Sequence, residues 1–215
     1  HLPRQLRDER RARSQAAQEA AKECKAPPAE LCQTALHLSL FFDGTNNNEP
    51  ADKRFEPRST SNVARLYHAT VDHSKIASVD DGDKPPVPGT PTYFSYYCPG
   101  VGTVFPEIGE NYPDDGGLKY ATGGENRINW GLTRLIDALK KALSIDGLLI
   151  SKTQELIEQM STLWPVSNGQ ANREAAMRPE IEQLEQLLVE RKQKGTKPEI
   201  LALRLYVYGF SRGAA

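Results

Sequence analysis

The run Leu203-Arg204-Leu205-Tyr206-Val207-Tyr208-Gly209-Phe210-Ser211-Arg212-Gly213-Ala214-Ala215 decides how this chain is read. Leu203, Leu205, Tyr206, Val207 and Tyr208 give it strand composition, and Gly-x-Ser-x-Gly follows without a spacer. Two small alanines then suit the start of a helix. In that order the serine must occupy a strained, tight turn at the carboxyl end of a strand, with its hydroxyl held out at the top of the sheet. A Cβ at Gly209 or Gly213 would collide with the neighbouring strand or helix, which is the physical reason for the two glycines. The backbone N–H of Arg212, close to a helix N-terminus, then points toward the place where an oxyanion would form.

This strand, turn and helix resemble the nucleophile elbow of α/β hydrolases, which makes Ser211 the candidate nucleophile and Arg212 one oxyanion donor. The competing reading is an ordinary strand-to-helix turn with an idle serine.

Upstream, Leu36, Leu38, Leu40 and Phe42 alternate with His37, Ser39 and Phe41, a strand pattern whose second face is also partly apolar, as in a covered sheet. It runs into Asp43-Gly44-Thr45-Asn46-Asn47-Asn48, a turn by composition. Thr60-Ser61-Asn62 offers a cap for a helix over Val63 to Ala69. Thr92 to Cys98 is the next strand and empties into Pro99-Gly100-Val101-Gly102-Thr103, read as a tight post-strand turn in preference to a phosphate cradle. Residues 72–91 are rich in Asp, Gly and Pro and read as a surface loop. Residues 104–126 read as a long loop near a cleft, with Asp114 and Asp115 as weak metal candidates.

Phe41 to Asn48, Ser61-Asn62-Val63, Tyr97 to Thr103 and Gly209 to Ala214, in that order, resemble the α/β hydrolase domain of bacterial type VI secretion lipase effectors and their relatives. The resemblance spans roughly Leu36 to Ala215. It implies an antibacterial phospholipase A with a Ser, Asp and His triad, acting on membrane phospholipid through an acyl-enzyme at Ser211. It implies further a secretion spike protein and a cognate immunity protein as partners, and a site of action in the periplasm or at the membranes of target cells. The second oxyanion donor would come from Gly44 or Thr45 in the Asp-Gly-Thr turn. Asp43 is read as pinning that turn by accepting backbone N–H groups, ahead of any role as the triad acid.

The expected fold class is α/β, a mostly parallel hydrolase-like sheet with helical insertions. Residues 1–34 read as a helical arm with a basic first half, either solvated or facing an anionic surface, and Pro27-Pro28 ends it. Residues 35–215 form the hydrolase domain, incomplete at its C-terminus, with a helical insertion at about 145–197. Leu132, Leu135, Ile136, Leu139 and Leu143 mark a core-facing helix. A second stripe, Leu149, Leu156, Ile157, Met160, Leu163 and Trp164, and a third, Met177, Ile181, Leu184, Leu187 and Leu188, exceed what consecutive βα units of ~30 residues need. They form either a lid or lipid-facing pair, or helices that enlarge the core.

Across 215 residues the formal net charge is −1 and 26% of residues are charged, which gives no electrostatic reason to expect nucleic acid. No apolar run is long enough to cross a bilayer, and the polar, Arg-rich start has no signal-peptide core. The chain therefore reads as made in the cytoplasm; export without a signal peptide is what the resemblance implies. Cys24, Cys32 and Cys98 lack metal spacing and read as free thiols; Cys24 with Cys32 in a small loop is the alternative. No metal and no cofactor are expected, with calcium dependence left open.

Ser211 needs an imidazole to take its proton. His1, His37, His68 and His73 all precede the elbow, whereas α/β hydrolases place their acid and histidine after it. The chain begins with His1 in place of Met and ends four residues past Ser211, so it reads as a piece of a longer protein with its acid and histidine downstream. The alternatives are a soluble carboxylesterase or thioesterase, and a non-catalytic hydrolase-like binding module.

Overall fold

A computed structural model describes residues 34–55, 59–72, 92–116, 123–161, 169–193 and 200–214. All of them belong to the compact unit Gln33–Ala215, and the N-terminal arm, Cys24 and Cys32 lie outside the described residues.

The described strands are β1 (Thr34–Phe42), β2 (Tyr93–Cys98) and β3 (Ile200–Gly209), in the order β2-β1-β3 with both pairings parallel. Helix α1 (Glu49–Phe55) and α2 (Asn62–Ala69) lie between β1 and β2 in sequence. Helix α3 (Gly124–Ala142), α4 (Ile150–Met160) and α5 (Gly169–Gln193) lie between β2 and β3. This is a mixed α/β structure with a small parallel sheet, as parallel strands joined through helices require.

Alternation along β1 sorts its side chains between two helical layers. Leu36, Leu38 and Leu40 are buried with Phe94 of β2 against Ala138 and Ala142 of α3. On the opposite face Phe41 is fully buried, with Tyr67 of α2 edge-on at 5.7 Å and Tyr208 of β3 stacked at 4.8 Å. A central strand buried on both faces explains why even its second face is apolar. β3 differs: Leu203, Leu205, Val207 and Tyr208 are all exposed, Val207 to 59%, although the same strand pairs along its whole length with β1.

The stretch expected as an insertion, about 145–197, holds α4 and α5, and of the two readings of its second stripe, lid or core, packing favours the core. Leu156, Ile157 and Met160 are buried in one cluster with Trp130 of α3, Phe105, Ile108 and Ala176 of α5. Their helical spacing therefore serves the core and offers no face to a lipid. Leu149 is 73% exposed just ahead of α4, while Leu163 and Trp164 lie outside the described residues. On α5, Leu184 packs with Ile136 and Leu143, whereas Ile181, Leu188 and Val189 stay exposed. No helix among the described residues is long and apolar enough to cross a membrane.

Polar contacts tie the insertion down. Asp137 is buried on α3 and accepts the Leu148 N–H at 2.7 Å, the Tyr96 hydroxyl at 2.6 Å and the Lys141 ammonium at 2.7 Å. Burial raises its pKa, but Lys141 and Tyr96 outweigh that and hold the carboxyl below the usual range. Arg134 reaches Thr153 Oγ1 on α4 at 2.6 Å.

Burial separates the residues of the second stripe in a measurable way. Leu156→Ala is expected to cost about 2–5 kcal/mol in urea denaturation, the range for emptied core sites. Leu149→Ser should stay within about 0.5 kcal/mol of the parent, as exposed substitutions do.

Candidate active site

Parallel register levels three strand ends. Phe42 pairs with Cys98 on one side and with Gly209 on the other, so the segments that follow leave the sheet side by side.

After β3 the chain enters a short 3₁₀ turn, Ser211–Ala214, and Ser211 takes a left-handed φ of 55°. For a residue with a Cβ this conformation costs roughly 1–2 kcal/mol, so the surroundings must impose it. The Phe210 N–H donates to the Phe42 carbonyl at 3.1 Å, and the Gly213 N–H donates back to the Phe210 carbonyl at 2.9 Å. A Cβ on Gly209 would overlap the Gly213 carbonyl and Ala214, and one on Gly213 would overlap the carbonyls of Asp43 and Phe42. The two glycines thus let the serine turn close on itself and on the end of β1.

The β1 turn is built around one carboxylate. Asp43 is buried; its Oδ1 accepts the Gly44 N–H at 2.7 Å, and its Oδ2 accepts the hydroxyls of Ser61 at 2.5 Å and Tyr97 at 2.7 Å. Ser61 is also the N-cap of α2, accepting the Ala64 N–H at 3.0 Å. Burial first, then the Asp43 carboxylate, push the Tyr97 phenol well above its usual pKa, so it stays protonated and donates. Asp43 therefore pins its own turn, as the sequence suggests. The same bond corrects one expectation: the Gly44 N–H is committed to Asp43 and is not free to meet an oxyanion. The Thr45 N–H makes no hydrogen bond among the described residues.

The β2 turn is bolted to it. The Gly100 N–H donates to the Asn47 carbonyl at 2.9 Å and the Asn46 N–H to the Val101 carbonyl at 3.2 Å. A Cβ on Gly100 would overlap the Gly44 carbonyl, so the glycine serves close backbone approach, in line with a tight turn. Arg127, on α3, is the residue that sequence reasoning missed here. Its Nε donates to the Pro99 carbonyl at 2.8 Å, its guanidinium reaches the Gly100 and Thr103 carbonyls, and Glu110 pairs with it at 2.8 Å. Arg127, Gly131, Arg134 and Ala138 are all buried and fall at helical spacing, but nothing in the sequence distinguishes this arginine from a solvated one. The neighbouring Cys98 thiol is fully buried, which pushes its pKa far up and leaves it unsuited to act as a nucleophile.

Neither described histidine is engaged with the serine turn. His37 stacks against Tyr93 and Tyr206 and meets the Tyr206 hydroxyl at 3.2 Å, five residues below Phe42 and so about 16 Å down the strand. His68 bonds Glu49 at 2.7 Å beside Lys53. Burial raises the Glu49 pKa, but those two neighbours bring it below its ordinary value. His1 and His73 lie outside the described residues.

A groove of about 360 Å³ lies on the α3 face of the sheet. Leu40, Leu205, Val207, Ile128 and Leu132 are among its walls, and Arg212, Gly213 and Ala214 line it too. Ser211 itself is not among the lining residues. Among the described residues no group of three or more His, Cys, Asp or Glu is placed to hold a metal ion. Asp114, one of the two metal candidates, accepts the Gly116 N–H at 2.9 Å.

No family model and no curated protein matches the chain. Among solved structures it is similar to an uncharacterized protein from Pseudomonas aeruginosa, with 43% identity and a TM-score of 0.73. The match covers 100% of this chain and 28% of that one, so the chain spans little more than a quarter of that protein's length.

The strained turn makes opposite predictions for two substitutions. Ser211→Gly is expected to keep or raise stability by up to ~1 kcal/mol, because relief at positive φ offsets the entropy of an added glycine. Gly213→Ala should lower it by about 1–3 kcal/mol, since its Cβ meets backbone that cannot rotate away. Urea unfolding midpoints at constant m-value measure both.

Proposed function

We propose that this chain carries the nucleophile of a serine esterase that hydrolyses phospholipid acyl esters, within an α/β hydrolase fold. The observation that supports it best is Ser211 held at φ 55° in a glycine-flanked turn at the carboxyl end of a parallel sheet. Hydroxyl nucleophiles gain nothing from such strain unless it presents them, and strain of this kind clusters at functional sites. The ordered sequence motifs narrow the class to secreted antibacterial lipases.

In this reading Ser211 Oγ attacks the ester carbonyl while a histidine, expected after the elbow in chain order, takes its proton. The acyl-enzyme is then released by water. The Arg212 N–H and the Asp-Gly-Thr turn face the developing oxyanion. Export by a contractile secretion machine, with a dedicated immunity protein in the producing cell, follows from the same resemblance. Toxicity on periplasmic but not cytoplasmic expression is the pattern it requires.

A second reading, a hydrolase-like binding module without turnover, draws on the two described histidines, His37 and His68, whose partners lie away from the serine turn. A fluorophosphonate probe on the natural full-length protein decides between them. The esterase reading expects covalent labelling at Ser211, lost in Ser211→Ala, with ester turnover falling far more than tenfold. An unlabelled parent protein leaves the binding module.

A further inference from the structure

Strand β3 has the composition of a covered strand and the exposure of an uncovered one. From Leu203 to Tyr208 every residue but Arg204 is apolar or aromatic, the near-continuous pattern of a parallel strand buried on both faces. Yet Leu203, Leu205 and Val207 are exposed on the α3 face, and Tyr206 and Tyr208 on the α2 face. The outer edge of β3 has no strand beside it among the described residues, because the order β2-β1-β3 ends there. An apolar edge strand open on three sides is what natural proteins cover.

Topology dictates which face the cover takes. From β1 to β2 the chain crosses the sheet one way, with α2 on the Phe41 face; from β2 to β3 it crosses back, with α3 on the face of Leu36, Leu38 and Leu40. Opposite directions on opposite faces are crossovers of one hand, as parallel strands require. A further parallel strand beside β3 would continue in the β2-to-β3 direction, so the helix leading to it must lie on the α3 face. The groove of about 360 Å³ is there, walled by Ile128 and Leu132 of α3 and by Leu205 and Val207 of β3. Arg212, Gly213 and Ala214 line it as well, so the chain already leaves β3 toward it. A related protein of which this chain spans 28% holds ample polypeptide for such a unit.

We propose that the groove and the outer edge of β3 form an interface within the natural full-length protein, filled by the segment that follows Ala215. That segment continues the Ser211–Ala214 turn as a helix of about 10–14 residues, seated in the groove against Ile128 and Val207, and returns as a strand parallel to β3. The groove is thereby a packing seat, closed to an acyl chain and to a second copy of the protein. It gives β3 the two covered faces its composition calls for. The assignment is independent of turnover at Ser211, since it follows from strand order, crossover hand and apolar exposure alone.

The test uses the natural full-length protein carrying Ile128→p-benzoylphenylalanine, with its photo-cross-links mapped by mass spectrometry. Beside it, Ile128→Cys and Val207→Cys are labelled with a water-soluble maleimide, folded and in urea, and read site by site so that the native cysteines do not count. Ile128 is 55% and Val207 59% exposed, so without a cover both sites label nearly as fast folded as unfolded. The proposal expects cross-links to a peptide within about 20 residues after Ala215, and labelling more than about tenfold slower in the folded protein at both sites. That protection should not change on dilution or on adding phosphatidylglycerol vesicles. Smaller protection, or no cross-link, overturns the proposal. So does protection lost on dilution, which means a second copy, or gained only with vesicles, which means an acyl chain. A cross-link to any other part of the chain overturns it too. Should Val207→Cys fail to fold, the helix site Ile128→Cys decides the labelling arm. No ester enters the experiment, so its failure leaves the esterase reading standing, and an inert Ser211 leaves this one standing.

Discussion

Backbone contact without intervening side chains is the constraint on which this structure depends. Parallel pairing brings Phe42, Cys98 and Gly209 level, and three chain segments must then leave the same edge within a few ångströms of one another. Only glycine lets them do so: Gly100 against the Gly44 carbonyl, Gly213 against the carbonyls of Phe42 and Asp43, and Gly209 against its own following turn. Local geometry at Ser211 is thus a consequence of how three strands end, and the turn cannot relax to an ordinary φ without parting from β1.

Polar groups lock that arrangement from two directions. From the α2 side, the Asp43 carboxylate gathers Gly44, Ser61 and Tyr97, so one buried charge joins β1, β2 and a helix N-terminus. From the α3 side, the Arg127 guanidinium gathers the carbonyls of Pro99, Gly100 and Thr103 and is balanced by Glu110. Asp43 is satisfied by three hydrogen bonds, and Arg127 by carbonyls and the Glu110 carboxylate, the condition under which burial of such groups is tolerable. The two clamps hold adjacent turns that also bond each other, so the turns form one body.

Much of this frame is legible in the sequence because it follows from short-range pattern. Alternation gives β1, the Tyr-rich run gives β2, the 3.6 period gives α3, and glycine spacing gives the tight turn after β3. What escapes is whatever depends on where a side chain finds its partner. Leu156, Ile157 and Met160 have the same period whether they face a lipid or Trp130, and only packing decides for the core. Gly44 and Thr45 are equally good donors on paper until Asp43 claims the first of them. Arg127 is hidden because a charged residue in a helix is ordinarily solvated, and nothing local reveals three carbonyls waiting within reach.

The pairing of β1 with β3 has a temporal side. Leu36, Leu38 and Leu40 meet Leu203, Leu205 and Val207, partners that are synthesised only after β2 and the five described helices. Closure of so long a loop is entropically slow, and the ribosome delivers β3 well after β1. Until then one edge of β1 stays unpaired, and Gly213 has no β1 backbone to rest on. The strained turn at Ser211 can therefore take shape only once β3 has docked on β1.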